Sequence, residues 1–528
     1  MNIFVFLSSL SLIQVASSFN FLVFCPLFGH SHTTFFAKIA DTLSDAGHNV
    51  TFFTPTIVRK FSKFNYVKST NHVVHLEPSE KLAQYGNLME DVDISRFWGD
   101  DASMLEQFPM VKLLNGMFLE LATVLGKNLN LLDDLKARKF DVVIFESFVH
   151  SAYPLIDYLE IEKFIPSTSI VFDPSLLNSI GEPRMPSAVP LPLSKFADKM
   201  TLMERLTNTV FPQIFHALLP KCEYKSFRPP YSVIDTRAQE ALSSFIFTNS
   251  NPYIDFPRPT IEKNVQIGGI SVDIERLKAL KVDKEWDTVL TARPRTVLIS
   301  FGSVIFSKDM PQDNKKSLAF SMSKFPEVTF IWKYESDDTE SFASGIENIH
   351  FSKWVPQTAL LADSRLSAFF THAGLGSISE VSYLGKPAII CPLFADQMRN
   401  AKMLARHNGS IEISKFDLSN SNKIIDALRR ILFNNAYKNS AENLALQLKN
   451  QPVKPSDLLL RHAEFVAKFG RLPSLDPYSR HMSFIEYFLI DVAAILTSFT
   501  LLVVLLLFQL TKKLIHCISI IASKQKVH

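Results

Sequence analysis

The chain has 528 residues, 47% of them hydrophobic, and a formal net charge of +3 from 55 basic and 52 acidic side chains. That hydrophobic content excludes a disordered chain, and so small a net charge leaves no electrostatic footprint for nucleic acid. The length suits two domains with appendages, and the four cysteines, Cys25, Cys222, Cys391 and Cys517, are too scattered for a metal-spaced set or a disulfide framework. Phenylalanine is abundant at 45 residues, which core packing explains, although some could line an apolar cleft.

From the N-terminus, Ile3 to Val15 is apolar and runs into Ala16-Ser17-Ser18, the pattern of a secretory signal peptide over residues 1–18. A buried first strand is the competing reading of that run. However, Phe21 to Cys25 supplies a strand independently, followed by a helix with Phe35, Phe36, Ile39, Ala40 and Leu43 at helical spacing and Gly47 at its close. Between strand and helix lies Gly29-His30-Ser31-His32, where α/β sheets place ligands. A helix N-terminus disfavours imidazolium, so His32 there reads as a neutral proton acceptor or as a histidine that only caps the helix. Val50 to Phe53 starts a further strand, and Asp141 to Phe145 another, with Glu146 at its tip and Asp141 at the far end. Pro183 to Pro192 reads as a surface loop rather than a linker. Asn49-Val50-Thr51 and Asn408-Gly409-Ser410 are glycosylation sequons for a luminal protein.

Ser244 to Thr248, Thr296 to Ser300, Thr329 to Lys333, Ala368 to Thr371 and Ala388 to Cys391 continue the strand series, so the fold class is α/β with parallel sheets. A polar stretch, Lys281 to Arg295, reads as the boundary between two domains. The richest segment runs from Phe369 to Asn400. Gly374 and Gly376 let backbone approach a ligand closely, and the helix that follows presents free N–H groups and a positive dipole end to an anion. His372 and Ser377 add donors, and Asp396, Gln397 and Asn400 form a polar cluster past the next strand, so the pattern suits an anion joined to a polyol. Two readings compete with this one. Ser377 and Glu380 have capping-box spacing, and Gly374-Leu375-Gly376 could be half of a dinucleotide fingerprint with Asp396 as its ribose acid. Against the latter, Ser379 stands in place of the third glycine and Thr296 to Ser300 already opens the domain.

Near the C-terminus, Phe488 to Leu510 holds 23 residues of which only Asp491 is charged, long enough to span a bilayer. Lys512 and Lys513 follow and put that side in the cytosol, making a single-pass protein with its bulk in the lumen. A buried core helix is the competing reading. Lys524 and Lys526, five and three from the end, are similar to a dilysine retrieval signal, although a basic tail could also bind anionic lipid.

The segment from Trp354-Val355-Pro356-Gln357 to Asn400 resembles the signature of the UDP-glycosyltransferases, the family that includes the animal UDP-glucuronosyltransferases. The resemblance implies two facing Rossmann-like domains, the GT-B arrangement: an acceptor-binding domain over residues 19–285 and a UDP-sugar-binding domain over 286–450. A return helix and linker over 451–486, a transmembrane helix over 487–510 and a cytosolic tail over 511–528 complete the chain. It places Trp354 and Gln357 at the uracil, His372, Ser303, Asn400 and the turn of Gly374, Gly376 and Ser377 at the diphosphate, Glu380 on the ribose hydroxyls, and Asp396 and Gln397 on the sugar. His32, 16 residues before His48, matches the family's catalytic histidine, and Glu146 the carboxylate behind it. Three positions depart from the common pattern: relatives often carry asparagine at Gly376, glycine at Ala373 and aspartate at Glu146. The implied activity is inverting transfer of a sugar from a UDP-sugar co-substrate to a hydroxyl of a small lipophilic acceptor, with no metal and no further cofactor expected. The sugar read is glucuronic acid, with glucose next and a donor-binding protein without transfer activity as the reading of another class. The implied location is the endoplasmic reticulum membrane, with a luminal body and room for a homo-oligomer.

Overall fold

Two parallel sheets carry the structure, one in each half of the chain. The computed structural model describes residues 18–91, 94–101, 108–218, 227, 235–274, 277 and 280–525. Residues 1–17 of the expected signal peptide, together with Cys222 and Lys526, lie outside them.

The first sheet contains β1 (Asn20–Phe24), β2 (Asn49–Pro55), β3 (His72–Leu76), β4 (Val142–Glu146), β5 (Phe164–Thr168), β6 (Ile246–Thr248) and β7 (Asn264–Gln266), in the order β3-β2-β1-β4-β5-β6-β7. The second contains β8 (Arg295–Ser300), β9 (Val328–Lys333), β10 (Ile349–Ser352), β11 (Leu366–Thr371), β12 (Ala388–Ile390) and β13 (Ser410–Glu412), in the order β10-β9-β8-β11-β12-β13. Runs such as Phe21-Leu22-Val23-Phe24 and Val142-Val143-Ile144-Phe145 are buried on both faces, as parallel strands sandwiched between helices must be. In each sheet the chain winds outward from a central strand, then crosses to the other side. The switch falls between β1 and β4 in the first sheet and between β8 and β11 in the second, and a crevice opens at the carboxyl ends of such strand pairs.

The polar stretch read as the domain boundary, Lys281 to Arg295, is partly helix. Lys284–Thr291 is helical, with Asp283 accepting from Trp286 N at its start and Trp286 and Leu290 packed into the core shared by both halves. The polar character of the stretch belongs to the outer face of that amphipathic helix. Pro183 to Pro192 is loop, as expected. It is pinned by Asn208, whose Nδ2 donates to Pro186 O at 2.8 Å and to Val189 O at 2.9 Å.

Late in the chain, the helix Pro455–Phe469 inserts Leu459, Ala463, Val466 and Ala467 into the core beneath the first sheet. His48 Nε2 pairs with Glu464 Oε1 at 3.1 Å and Lys163 Nζ donates to Ala467 O at 2.5 Å.

Residues 476–528 form a separate compact unit, in which Ile490–Gln525 is one continuous helix. Its stretch Ile490–Ala522 is long and apolar enough to cross a membrane, and helix continues past Leu510 through Lys512 and Lys513. The helix Phe108–Lys127 also passes that test of length and composition over Pro109–Lys127, but it buries Met117, Leu121 and Leu125 in the core of the first half.

Candidate active site

The loop after β1 turns at Gly29 into the helix His30–Asp45, so His32 lies in that helix's first turn, at the crevice between β1 and β4. Glu146, the last residue of β4, is fully buried. The two meet with His32 Nδ1 3.0 Å from Glu146 Oε2. Ser169, just beyond β5, closes a triangle: its hydroxyl lies 2.5 Å from His32 Nδ1 and donates to Glu146 Oε2 at 2.5 Å, while its N–H donates to Glu146 Oε1 at 3.3 Å. With a carboxylate against Nδ1, the ring's donor hydrogen sits there, and Nε2 carries the free lone pair. Phe28 and Phe148 wall the imidazole, with ring centroids at 4.7 and 5.5 Å.

Nearby buried groups feel this charge. The Cys25 thiol is pushed up by burial and then by Glu146, and Asp173 is raised by burial with Glu146 as a smaller cause. His30 faces elsewhere, its Nδ1 3.0 Å from Tyr66 Oη, and burial lowers its pKa. Asp141, at the opposite end of β4, accepts from Asn20 N at 2.8 Å and takes no part in the cluster.

The second crevice holds the other group. His372 follows β11 and its ring lies between two glycines: a Cβ on Gly302 would sit 2.7 Å from Nε2, and one on Gly374 would also sit 2.7 Å from it. Gly302 has φ +89°, a region closed to most side chains, so both sterics and conformation require glycine there. Burial, and then the charge of Lys333, hold the His372 pKa down at about 4, so the ring is neutral near neutral pH; the Ser300 backbone, which hydrogen-bonds the ring, acts the other way. Lys333 was not singled out from sequence. It ends β9, and its Nζ donates to Gly302 O at 2.7 Å and pairs with Glu335 at 3.0 Å. Ser303 lies in the turn after β8 beside Gly302, partly exposed.

The helix Leu375–Leu384 is capped by Gly374, with Gly376 and Ser377 in its first turn. A Cβ on Gly376 would meet nothing within 4 Å, so the space before the helix N-terminus is open. Ser377 and Glu380 do not form a capping box. Gln357 Nε2 donates to Ser377 Oγ at 3.1 Å and to Glu380 Oε2 at 2.7 Å, while Thr358 Oγ1 donates to Glu380 Oε1 at 2.5 Å. Burial raises the Glu380 carboxyl and these two bonds pull it back. Trp354 stands 58% exposed in the loop before Gln357, with Lys333 Nζ 5.6 Å from its ring centroid.

Asp396 and Gln397 open the helix that runs to Ala405. Asn400 Nδ2 donates to Asp396 Oδ2 at 2.8 Å and to Ala373 O at 3.3 Å, and Asn400 Oδ1 is buried without a hydrogen-bond partner. Gln397 Oε1 accepts from Leu393 N at 3.0 Å and Phe394 N at 3.2 Å, which ties the loop and leaves Nε2 as the group for a ligand. Burial raises the Asp396 carboxyl, and the Asn400 bond and then the nearby His32 imidazole lower it. His32 of the first half is thus within electrostatic reach of Asp396 of the second.

A family model described as UDP-glucoronosyl and UDP-glucosyl transferase matches residues 22–527. The chain belongs to that family. This glycosyltransferase is similar to UDP-glucuronosyltransferase 1A8 of Rattus norvegicus, at 26% identity over 92% of this chain and 90% of the relative. It is also similar to UDP-glycosyltransferase UGT5 of Dactylopius coccus, at 28% identity over 96% and 94%. Among solved structures, Phytolacca americana UGT2 complexed with UDP-2fluoro-glucose and pterostilbene matches with a TM-score of 0.57 at 17% identity, over 85% of this chain and 99% of that one. A UDP-glucosyltransferase from Polygonum tinctorium matches with a TM-score of 0.57 at 15% identity, over 86% and 99%. The glycosyltransferase therefore has the GT-B fold, and the apolar helix Ile490–Ala522 fits a membrane anchor.

Proposed function

We propose that this glycosyltransferase moves glucuronic acid from UDP-glucuronate to a hydroxyl of a small lipophilic acceptor, with inversion. The observation that carries the reading is the buried Glu146 carboxylate against His32 Nδ1, with Asp396 in electrostatic reach across the gap. His32 Nε2 takes the proton from the acceptor hydroxyl, and the oxygen attacks the anomeric carbon. The bond from that carbon to the diphosphate oxygen breaks, and UDP leaves from the opposite face. The charge that develops on the diphosphate meets His372, Ser303, Asn400 and the free N–H groups of the helix capped by Gly374. Trp354 and Gln357 hold the base, Glu380 the ribose, and Asp396 with Gln397 Nε2 the sugar hydroxyls.

In this reading residues 19–285 bind acceptor and 286–450 bind donor. The chain sits in the endoplasmic reticulum membrane with its body in the lumen and the residues after the span in the cytosol. Glucosyl transfer is the second reading, favoured by one observation: Arg399, the cation beside the Asp396–Gln397 pair, is tied to Asp255 Oδ1 at 2.6 Å and so is not offered to a sugar carboxylate.

Microsomes containing the protein, given UDP-glucuronate or UDP-glucose with a panel of phenols, decide between the two donors. Faster product formation from UDP-glucuronate is expected, and exclusive use of UDP-glucose would reverse the assignment. UDP binding without product in single-turnover assays with either donor would make the protein a donor-binding protein without transfer activity.

A further inference from the structure

Trp354 is expected to stack on the nucleotide base, yet two side chains already approach its indole in the structure. Lys333 Nζ lies over the ring at 5.6 Å from the centroid. Phe64, from the first half of the chain, is stacked with it at 6.3 Å between centroids and 30° between planes. Both rings are well exposed, Phe64 at 43% and Trp354 at 58%, so neither is held in place by a packed core.

The spacing is informative. Stacked rings in contact are separated by about 3.5 Å, so a third planar ring between two others needs about 7 Å from plate to plate. The centroids lie 6.3 Å apart with a 30° splay, which is an upper limit on the gap between planes, so the two rings must part by at least about 0.7 Å to admit a third. Lys333 cannot withdraw as easily, since its Nζ is fastened to Gly302 O and Glu335 Oε1. Phe64 lies in a loop between β2 and β3, and its ring rests edge-on against His30 at 5.1 Å, which is itself bonded to Tyr66.

We propose that Phe64 is the second plate of the donor-base site: the pyrimidine of the UDP-sugar enters between Phe64 and Trp354 and stacks on both. The inference rests on the reading of the donor as a UDP-sugar. It makes a residue of the acceptor half a determinant of donor affinity and base selectivity. Through His30, which stands two positions before His32 on the same helix, the filled clamp also fixes the distance between the donor and the proton acceptor. Phe64 is a positioning residue; it touches the base and not the reacting atoms.

The test compares the full-length protein with Phe64→Ala and Phe64→Tyr, using two probes: UDP, and ribose 5-diphosphate, which lacks the base. Phe64→Ala is expected to weaken UDP about five- to twenty-fold while leaving ribose 5-diphosphate inhibition within two-fold, and Phe64→Tyr to restore UDP affinity. Equal losses for both probes would mean that Phe64 supports the site only as structure, and an unchanged UDP affinity would mean that the base does not reach it; either overturns the inference. Wild-type protein that binds no UDP would overturn the donor reading itself, a result separable from any behaviour of the variants.

Discussion

His32 Nδ1 lies 3.0 Å from Glu146 Oε2 although 114 positions separate them in the chain. The contact exists because β1 and β4 are neighbours in the sheet and both end at the same crevice. Glutamate is one methylene longer than the aspartate common at this position, and the reach is accommodated by Ser169, which holds both carboxylate oxygens. Glu146→Gln should remove the preference for the Nδ1–H tautomer and cut kcat by on the order of 10² to 10⁴, with UDP affinity unchanged in calorimetry. Ser169→Ala should cost about ten-fold or less, since the direct contact between carboxylate and imidazole survives it.

His32→Ala is expected to leave UDP binding within two-fold of wild type and to reduce turnover by on the order of 10² to 10⁴. Near-normal turnover in that variant would reject the role given to the imidazole.

Two glycines two residues apart should respond in opposite ways. Gly374→Ala places a Cβ 2.7 Å from His372 Nε2, so the ring must move; UDP affinity is expected to fall at least about ten-fold. Gly376→Ala meets nothing within 4 Å and sits in a helix, where alanine is favoured by about 0.5–1 kcal/mol. Its thermal midpoint should hold or rise, while that of Gly374→Ala falls. Similar losses in both variants would contradict this account of the turn.

His372 gives a pH signature. Above pH 6.5 the ring is neutral in both native and unfolded chains; as pH falls from 6.5 towards its native value of about 4, the unfolded chain takes up a proton that the native site refuses. The native state therefore loses stability over that window, by about 3 kcal/mol in full, and the loss is complete below pH 4. Urea midpoints measured from pH 7 to pH 4 should fall less steeply for His372→Gln than for wild type. Parallel curves would show that the ring titrates normally.

Arg399 is fully buried, with Nη2 on Asp255 Oδ1 at 2.6 Å, Nε on Pro190 O at 3.0 Å, and its guanidinium over Phe172 and Phe256. Arg399→Met would strand the Asp255 carboxylate and should destabilise by about 3–5 kcal/mol in denaturant titration. Adding Asp255→Asn should recover part of that loss, whereas additive losses would mean that the pair is not coupled.

Most of the scaffold can be read along the chain because its strands are apolar runs buried on both faces, as at Phe21 to Phe24 and Phe369 to Thr371. The strands not anticipated are those whose composition hides them. β3, β7, β10 and β13 are the four edge strands, short or partly exposed, and β5 contains Pro166. The residues proposed to bind the donor, Ser303 apart, cluster in one stretch from Trp354 to Asn400, so local pattern and family resemblance find them together. Ser169, Lys333 and Phe64 come from three separate segments and look like ordinary loop, strand and surface residues until folding brings them to the gap. Ala373 is a case where sequence flagged an oddity and the structure explains it: the residue takes φ +67°, the left-handed region that glycine occupies without strain.

One helix carries Asp396 and Gln397 at its start and Arg399 a half-turn later. The side chains read as holding the sugar are thus bolted, through a desolvated cation, to the opposite half of the molecule. Any parting of the two halves that moves this helix away from Asp255 would have to break a buried ion pair, so the sugar-binding end is held to its partner half while substrates come and go.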